Sequence, residues 1–164
     1  MRKAVLTSLA IGVAVLFAAE ARAQAPAPPP PYGEAINSET AKKAAAAAVA
    51  ESKKNNWAMC VAVAAPSGDL VYFERMDNCQ FASIAISQHK AKAAATFRRP
   101  TKAFADAIAA SPGNVALLTL DGIIASEGGF PIVIGGKIVG SIGCSGATGQ
   151  QDGVACQAGV NAVK

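Results

Sequence analysis

The chain carries a single histidine, His89, in the run Gln88-His89-Lys90. A neutral imidazole is a strong nitrogen donor, and haem iron accepts it. The competing reading is a surface histidine on a polar helix face, because one His has no partner at ligand spacing. Met59, Met76 and Tyr72 are other possible axial ligands for an iron, and each also reads as ordinary strand packing. The densest cationic run is Arg98, Arg99 and Lys102, flanked by Phe97 and Phe104. A guanidinium grips a carboxylate with two parallel hydrogen bonds, so this run suits an anionic ligand such as the propionates of a haem. It reads equally as the positive charge expected at a helix C-terminus, completed by ion pairs. The third candidate is the bend Gly143 to Gly149, which includes Ser145 and Gly146 and leads from an apolar strand into a helix start. Free backbone N–H groups there suit an anion. Glycines serving a tight turn are the alternative.

Other chemistry is excluded by spacing. No Cys-x-x-Cys-His occurs, so haem is not attached covalently. Neither a G-x-G-x-x-G run nor a P-loop lysine is present, which removes those routes to nucleotide binding. Ser145 lies in Gly143-Cys144-Ser145-Gly146 rather than G-x-S-x-G, and the sole His belongs to a different helix. Asp152 and Glu127 have no evident carboxylate partner. No catalytic residue is therefore assigned. The four cysteines are Cys60, Cys79, Cys144 and Cys156. With no C-x-x-C pair and one His, zinc does not fit. Three disulfide pairings are open. Short loops favour Cys60–Cys79 and Cys144–Cys156, and a disulfide would remove Cys144 as a nucleophile.

Arg2 and Lys3 precede an apolar run, Ala4 to Ala19, and Ala21-Arg22-Ala23 fits an A-x-A cleavage site. The run is shorter than the roughly 20 residues of a membrane span. Residues 1–23 therefore read as a cleaved signal, with no membrane anchor afterwards and no cysteine near the cut for a lipid. Export into an oxidising compartment, periplasmic or secreted, suits the disulfides. The precursor has a net charge of +4, and losing Arg2, Lys3, Arg22 and Glu20 leaves 12 basic and 10 acidic residues, a net +2. That charge gives no case for nucleic acid.

These groups must be positioned by a domain over residues 34–164, behind a Pro-rich linker at 24–33. The linker is expected to be exposed and disordered unless it packs on a neighbour. A first, alanine-rich helix begins at Asn37 or Ser38 and runs to about Asn55. Strands follow at Trp57–Ala64 and Leu70–Met76, around Pro66-Ser67-Gly68-Asp69. Their poor alternation is expected where both sheet faces are covered. A second helix spans Ser83–Phe97, Pro100 ends it, and Thr101 caps a third to about Ala110. Ser111-Pro112-Gly113-Asn114 is a turn. Leu117 to Ile124 reads as a short strand or a helical turn. Two β-branched strands meet at Gly135-Gly136, and Thr148 with Gln151 forms a capping box for a last helix, Gly149–Val163. Helix, hairpin, helices, hairpin, helix is an α+β order, with an antiparallel sheet carrying helices on its faces.

The run Gly-Gly-Phe-Pro-Ile, then Gly-Gly-Lys-Ile-Val-Gly-Ser-Ile-Gly-Cys-Ser-Gly, then Gln-Asp, from Gly128 to Asp152, resembles the GlcG/HbpS-like proteins. Val61 to Asp77 is similar to that family's first hairpin, and Lys90 to Thr101 to its central helix and following loop. The resemblance covers about Ser38 to Ala162. It extends to the C-terminal domain of PduO-type corrinoid adenosyltransferases. It implies a profilin-like, PAS-like three-layer α/β/α fold with a central antiparallel sheet. It also implies a haem or other tetrapyrrole as non-covalent ligand, and a homo-oligomer. An enzyme or enzyme accessory acting on small organic acids, and a structural assembly module, stand as alternatives.

Overall fold

The structure is a computed structural model that describes residues 27–164. The expected signal, residues 1–23, lies outside the described residues.

Helix α1 spans Ser38–Lys54. The Asn37 side chain accepts the Thr40 N–H at 2.8 Å, and Lys53 and Lys54 complement the negative end of the helix. Strands β1 (Cys60–Ala64) and β2 (Leu70–Arg75) form the first hairpin. Helix α2 runs Phe81–Thr96 and α3 runs Lys102–Ala110. Strands β3 (Gly129–Ile134) and β4 (Lys137–Ser145) form the second hairpin. Gly135 and Gly136 turn it with φ of +57° and +75°, the two left-handed residues a two-residue connection needs. Helix α4 spans Gly149–Asn161, and the capping box of Thr148 and Gln151 is present.

The sheet order is β2-β1-β4-β3 with every neighbour antiparallel. Pro131, which cannot donate to a ladder, sits on the edge strand β3. Helices α1 and α4 cover one face of the sheet and α2 covers the other. The result is the α+β, three-layer α/β/α arrangement expected. Successive residues of β1 feed opposite layers. Val61 and Val63 join Ile132 and Ile142 against α1 and α4, while Ala62 and Ala64 meet Ala91 of α2. Each buried Val or Ile contributes about 1.5–3 kcal/mol. The α2 layer is built instead from small side chains. A methyl on Gly143 would run into the Ser87 carbonyl oxygen. Small residues thus let α2 lie directly on β4.

Several local expectations shift. Strand β1 starts at Cys60 rather than Trp57, and α2 starts at Phe81 rather than Ser83. The turn expected at Ser111–Asn114 opens a 3-10 helix, Pro112–Thr119, which settles the undecided Leu117 region as helical as far as Thr119. The Asn114 amide donates to the Ala107 carbonyl at 2.7 Å and ties this helix to α3. Thr101 occupies the cap position of α3 without capping it. Its buried hydroxyl donates to Ser126 O at 2.6 Å and accepts from Gly129 N at 3.0 Å, fastening the loop to β3. The described part of the Pro-rich segment packs on a neighbour. Gly33 N donates to Ile138 O and Ile138 N donates to Pro31 O, both at 2.8 Å, so the segment runs parallel to the start of β4. The Tyr32 hydroxyl reaches the last turn of α2, at Ala95 O and Thr96 O.

Candidate functional site

Helix α2 places most of the candidate groups. Its inward face carries Ser83, Ser87, Lys90, Ala91 and Ala94, all buried. His89 and Lys92 are exposed, three residues apart and therefore on one face. They border a cleft of about 300 Å³ that also takes in Leu70 and Asp69 at the start of β2. The other iron-ligand candidates are engaged elsewhere. Met59 is fully buried, its N–H donates to the Met76 sulfur at 3.4 Å, and the Tyr72 hydroxyl donates to Glu74 at 3.2 Å. Desolvation, reinforced by the Glu74 charge, pushes the Tyr72 phenol above its ordinary value, which disfavours the phenolate a metal would want. Of the four, His89 is the one whose donor atoms border a cleft without a protein partner.

The cationic run divides. Arg98 follows the end of α2 in a left-handed conformation, φ +55°, with its guanidinium 5.5 Å from the centre of the Tyr32 ring. Arg99 is exposed, donates to its neighbour's carbonyl, Phe97 O, at 3.1 Å, and lies over Phe104. Lys102 pairs with Asp106 at 2.5 Å on the exposed side of α3, and that hydrogen bond raises the Lys102 pKa. Arg98 and Lys164 border a slot of about 310 Å³ floored by Phe130, Pro131 and Val160. Arg98 and Arg99 border an adjoining hollow against Pro28 and Pro29. Neither opening shares a lining residue with the His89 cleft. The cation beside His89 is Lys92, which sequence reading did not single out. Its signal was available, three positions along the same helix.

The bend after β4 is built differently from the expectation. Gly143 and Ser145 are inside β4 and buried against α2, where the Ser145 and Ser83 hydroxyls bond at 2.9 Å. Gly146 turns with φ +156°, and a methyl there would strike the Ala58 carbonyl oxygen. The seat offered to an anion is taken by the chain's own carboxylate. Asp152 accepts Ala147 N at 3.0 Å, with the Gly146 N–H also directed at it, and Lys90 donates to it at 2.7 Å. Lys90 also donates to Cys144 O at 3.2 Å. Both partners are at least 97% buried by side chain. Burial pushes the Asp152 carboxyl above its ordinary value, and the Lys90 hydrogen bond and charge oppose that rise. Sequence reading missed this pair, although a lysine on the inward face of an alanine-rich helix demands a buried acid.

The favoured disulfides are both present, Cys60–Cys79 with Cα atoms 6.0 Å apart and Cys144–Cys156 at 5.6 Å. Cys144 is thereby no nucleophile. Among the described residues no cluster of His, Cys, Asp and Glu could hold a bare metal ion, and no helix is long and apolar enough to cross a membrane.

Residues 36–161 match a family model described as "haem degrading protein HbpS-like". Protein GlcG of Escherichia coli strain K12 is 38% identical over 110 residues, 67% of this chain and 81% of GlcG. The crystal structure of HbpS superposes with a TM-score of 0.74 at 29% identity, over 80% of this chain and 92% of that one. PduOC, solved as a complex with heme, shares the fold with a TM-score of 0.72 at 20% identity, over 79% of this chain and 96% of that one.

Proposed function

The chain belongs to the HbpS-like family, and on that premise we propose that it binds haem non-covalently with His89 as the iron ligand. The observation that carries this reading is the placement of His89. Its imidazole borders an open cleft, whereas Met59, Met76 and Tyr72 are buried or hydrogen-bonded. The family description, which speaks of haem degradation, supports the choice of ligand.

The residues present fit the group. A bound haem would supply an iron centre able to accept a nitrogen donor and change oxidation state. Helix α2 supplies a rigid platform for His89, because its inward face is locked onto β1 and β4. Lys92 supplies a cation on the same face for a propionate. Leu70, 49% exposed, offers apolar surface beside them. At about 300 Å³ the cleft is at the small end of small-molecule sites, so the iron bond carries much of the affinity. Arg98, Arg99 and Lys102 are not needed at this site.

The test is a hemin titration of the protein lacking residues 1–23, followed by absorbance. A Soret band should grow and saturate. His89→Ala should shift the band or weaken binding at least several-fold. Unchanged spectrum and affinity in that variant would move the ligand role to Tyr72, Met76 or another group.

The same reading includes export and self-assembly. The Ala21-Arg22-Ala23 site and two disulfides support cleavage after residue 23 in an oxidising compartment, periplasmic or secreted. Self-assembly into a homo-oligomer would cover exposed Phe81, Val115 and Leu118.

A further inference from the structure

We propose that the slot between Arg98 and Lys164 is a second ligand site, which takes a small carboxylate carried on an apolar body. Phe130, Pro131 and Val160 give the slot, of about 310 Å³, apolar walls, and Arg98 and Lys164 stand at its border. The adjoining hollow of about 460 Å³ shares Arg98 and adds Arg99. No acidic residue lines either opening. Among the described residues the ion pairs are those of Lys54, Lys90 and Lys102, so Arg98 and Lys164 have no carboxylate partner. Lys164 also donates to the Asn161 amide oxygen at 3.4 Å, which leaves its charge unneutralised, and apolar walls bordered by two cations without a carboxylate partner select an anion whose body prefers to leave water. A free inorganic anion gains nothing from the walls, and a neutral apolar molecule gains nothing from the cations.

The backbone gives an independent reason. Among the described residues three non-glycine residues have positive φ: Asn56, Asn78 and Arg98. Asparagine adopts that conformation several-fold more readily than arginine does. Arg98 stands just past the C-terminal cap of α2, Phe97, where helices ordinarily place glycine. A strained conformation at a half-buried cation with no carboxylate partner points to a use for the side chain. The ring of Tyr32 beneath the guanidinium holds it at the border of the slot.

The position makes the test sharp, because Arg98→Gly relieves the backbone while deleting the charge. Calorimetric titrations of the disulfide-intact protein lacking residues 1–23 would use phenylacetate and hexanoate, with benzyl alcohol and inorganic phosphate as controls. Either acid should bind saturably, with Kd at or below about 1 mM, and both controls should bind at least about tenfold more weakly. Arg98→Gly should weaken the acid at least about tenfold with a melting temperature equal to or above the parent's. Lys164→Ala should weaken it several-fold. His89→Ala should leave acid binding intact, which separates this site from the haem reading. Failure of hemin to bind leaves the acid titration unaffected. The proposal is overturned by absence of saturable binding of both acids, by full acid affinity in Arg98→Gly, or by equal binding of phosphate. It is also overturned if the acids compete with hemin and Arg98→Gly loses both, since the slot would then belong to a single haem site.

Discussion

At the scale of single residues, the most consequential contact is one the sequence did not announce as a pair. Lys90 and Asp152 lie 62 positions apart and meet in the interior at 2.7 Å. Removing one partner of a buried ion pair leaves the other charge stranded, at a cost of about 3–5 kcal/mol. Lys90→Met should therefore lower unfolding stability by that amount in urea melts. Adding Asp152→Asn should recover part of the loss, because asparagine removes the stranded charge yet still accepts the Ala147 N–H. A double variant less stable than Lys90→Met alone would show that the pair is not what holds this junction. His89 was visible as a candidate because its type is unique in the chain. Lys92, Tyr32 and the Arg98 strain were not, because each acquires meaning only from a neighbour or a dihedral angle that the fold creates.

At the scale of elements, legibility followed how local the cause was. The Gly135-Gly136 turn, the Asn37 cap and the Thr148–Gln151 capping box depend on two to five consecutive residues, and all three were readable. The short loops also pointed to both disulfide pairings. The 3-10 helix Pro112–Thr119 was not readable, because it depends on Asn114 reaching back to α3. Thr101 looked like a cap, yet its hydroxyl was claimed by Ser126 and Gly129 across the loop. The bend glycines looked like an anion cradle because a strand, glycines and a helix start do describe one. What decided otherwise was Asp152, supplied by the helix itself, and the direct seating of α2 on Gly143. Gly143→Ala forces a methyl against the Ser87 carbonyl, and overpacking of this kind costs about 1–3 kcal/mol or more. A thermal melt should show a clear drop, with hemin affinity of the folded fraction retained. An unshifted melt would mean that α2 does not rest on β4 as described.

At the scale of the whole molecule, the sheet divides the chain into two layers with different work. The α1–α4 side carries most of the apolar core, including Val61, Val63, Ile132 and Ile142. The α2 side is thin, small-residue and polar at its joints, and it presents His89 and Lys92 outward. Phe81, at 81% exposure the most exposed large apolar side chain of the described residues, also lies on α2. Association of copies would cover this ring, over which the Arg75 guanidinium already lies at 5.3 Å from the centre. Light scattering on the product lacking residues 1–23 should give a mass above that of one chain, and intact mass of the exported protein should begin at Gln24. A monomeric mass at micromolar concentration, or an exported product that keeps Met1, would count against that part of the reading. The central claim is narrower and rests on one atom. A crystal structure of the hemin-loaded protein should place the iron on a ring nitrogen of His89, with a propionate near Lys92. Iron held by any other side chain, or a macrocycle seated in the slot beside Arg98, would contradict it.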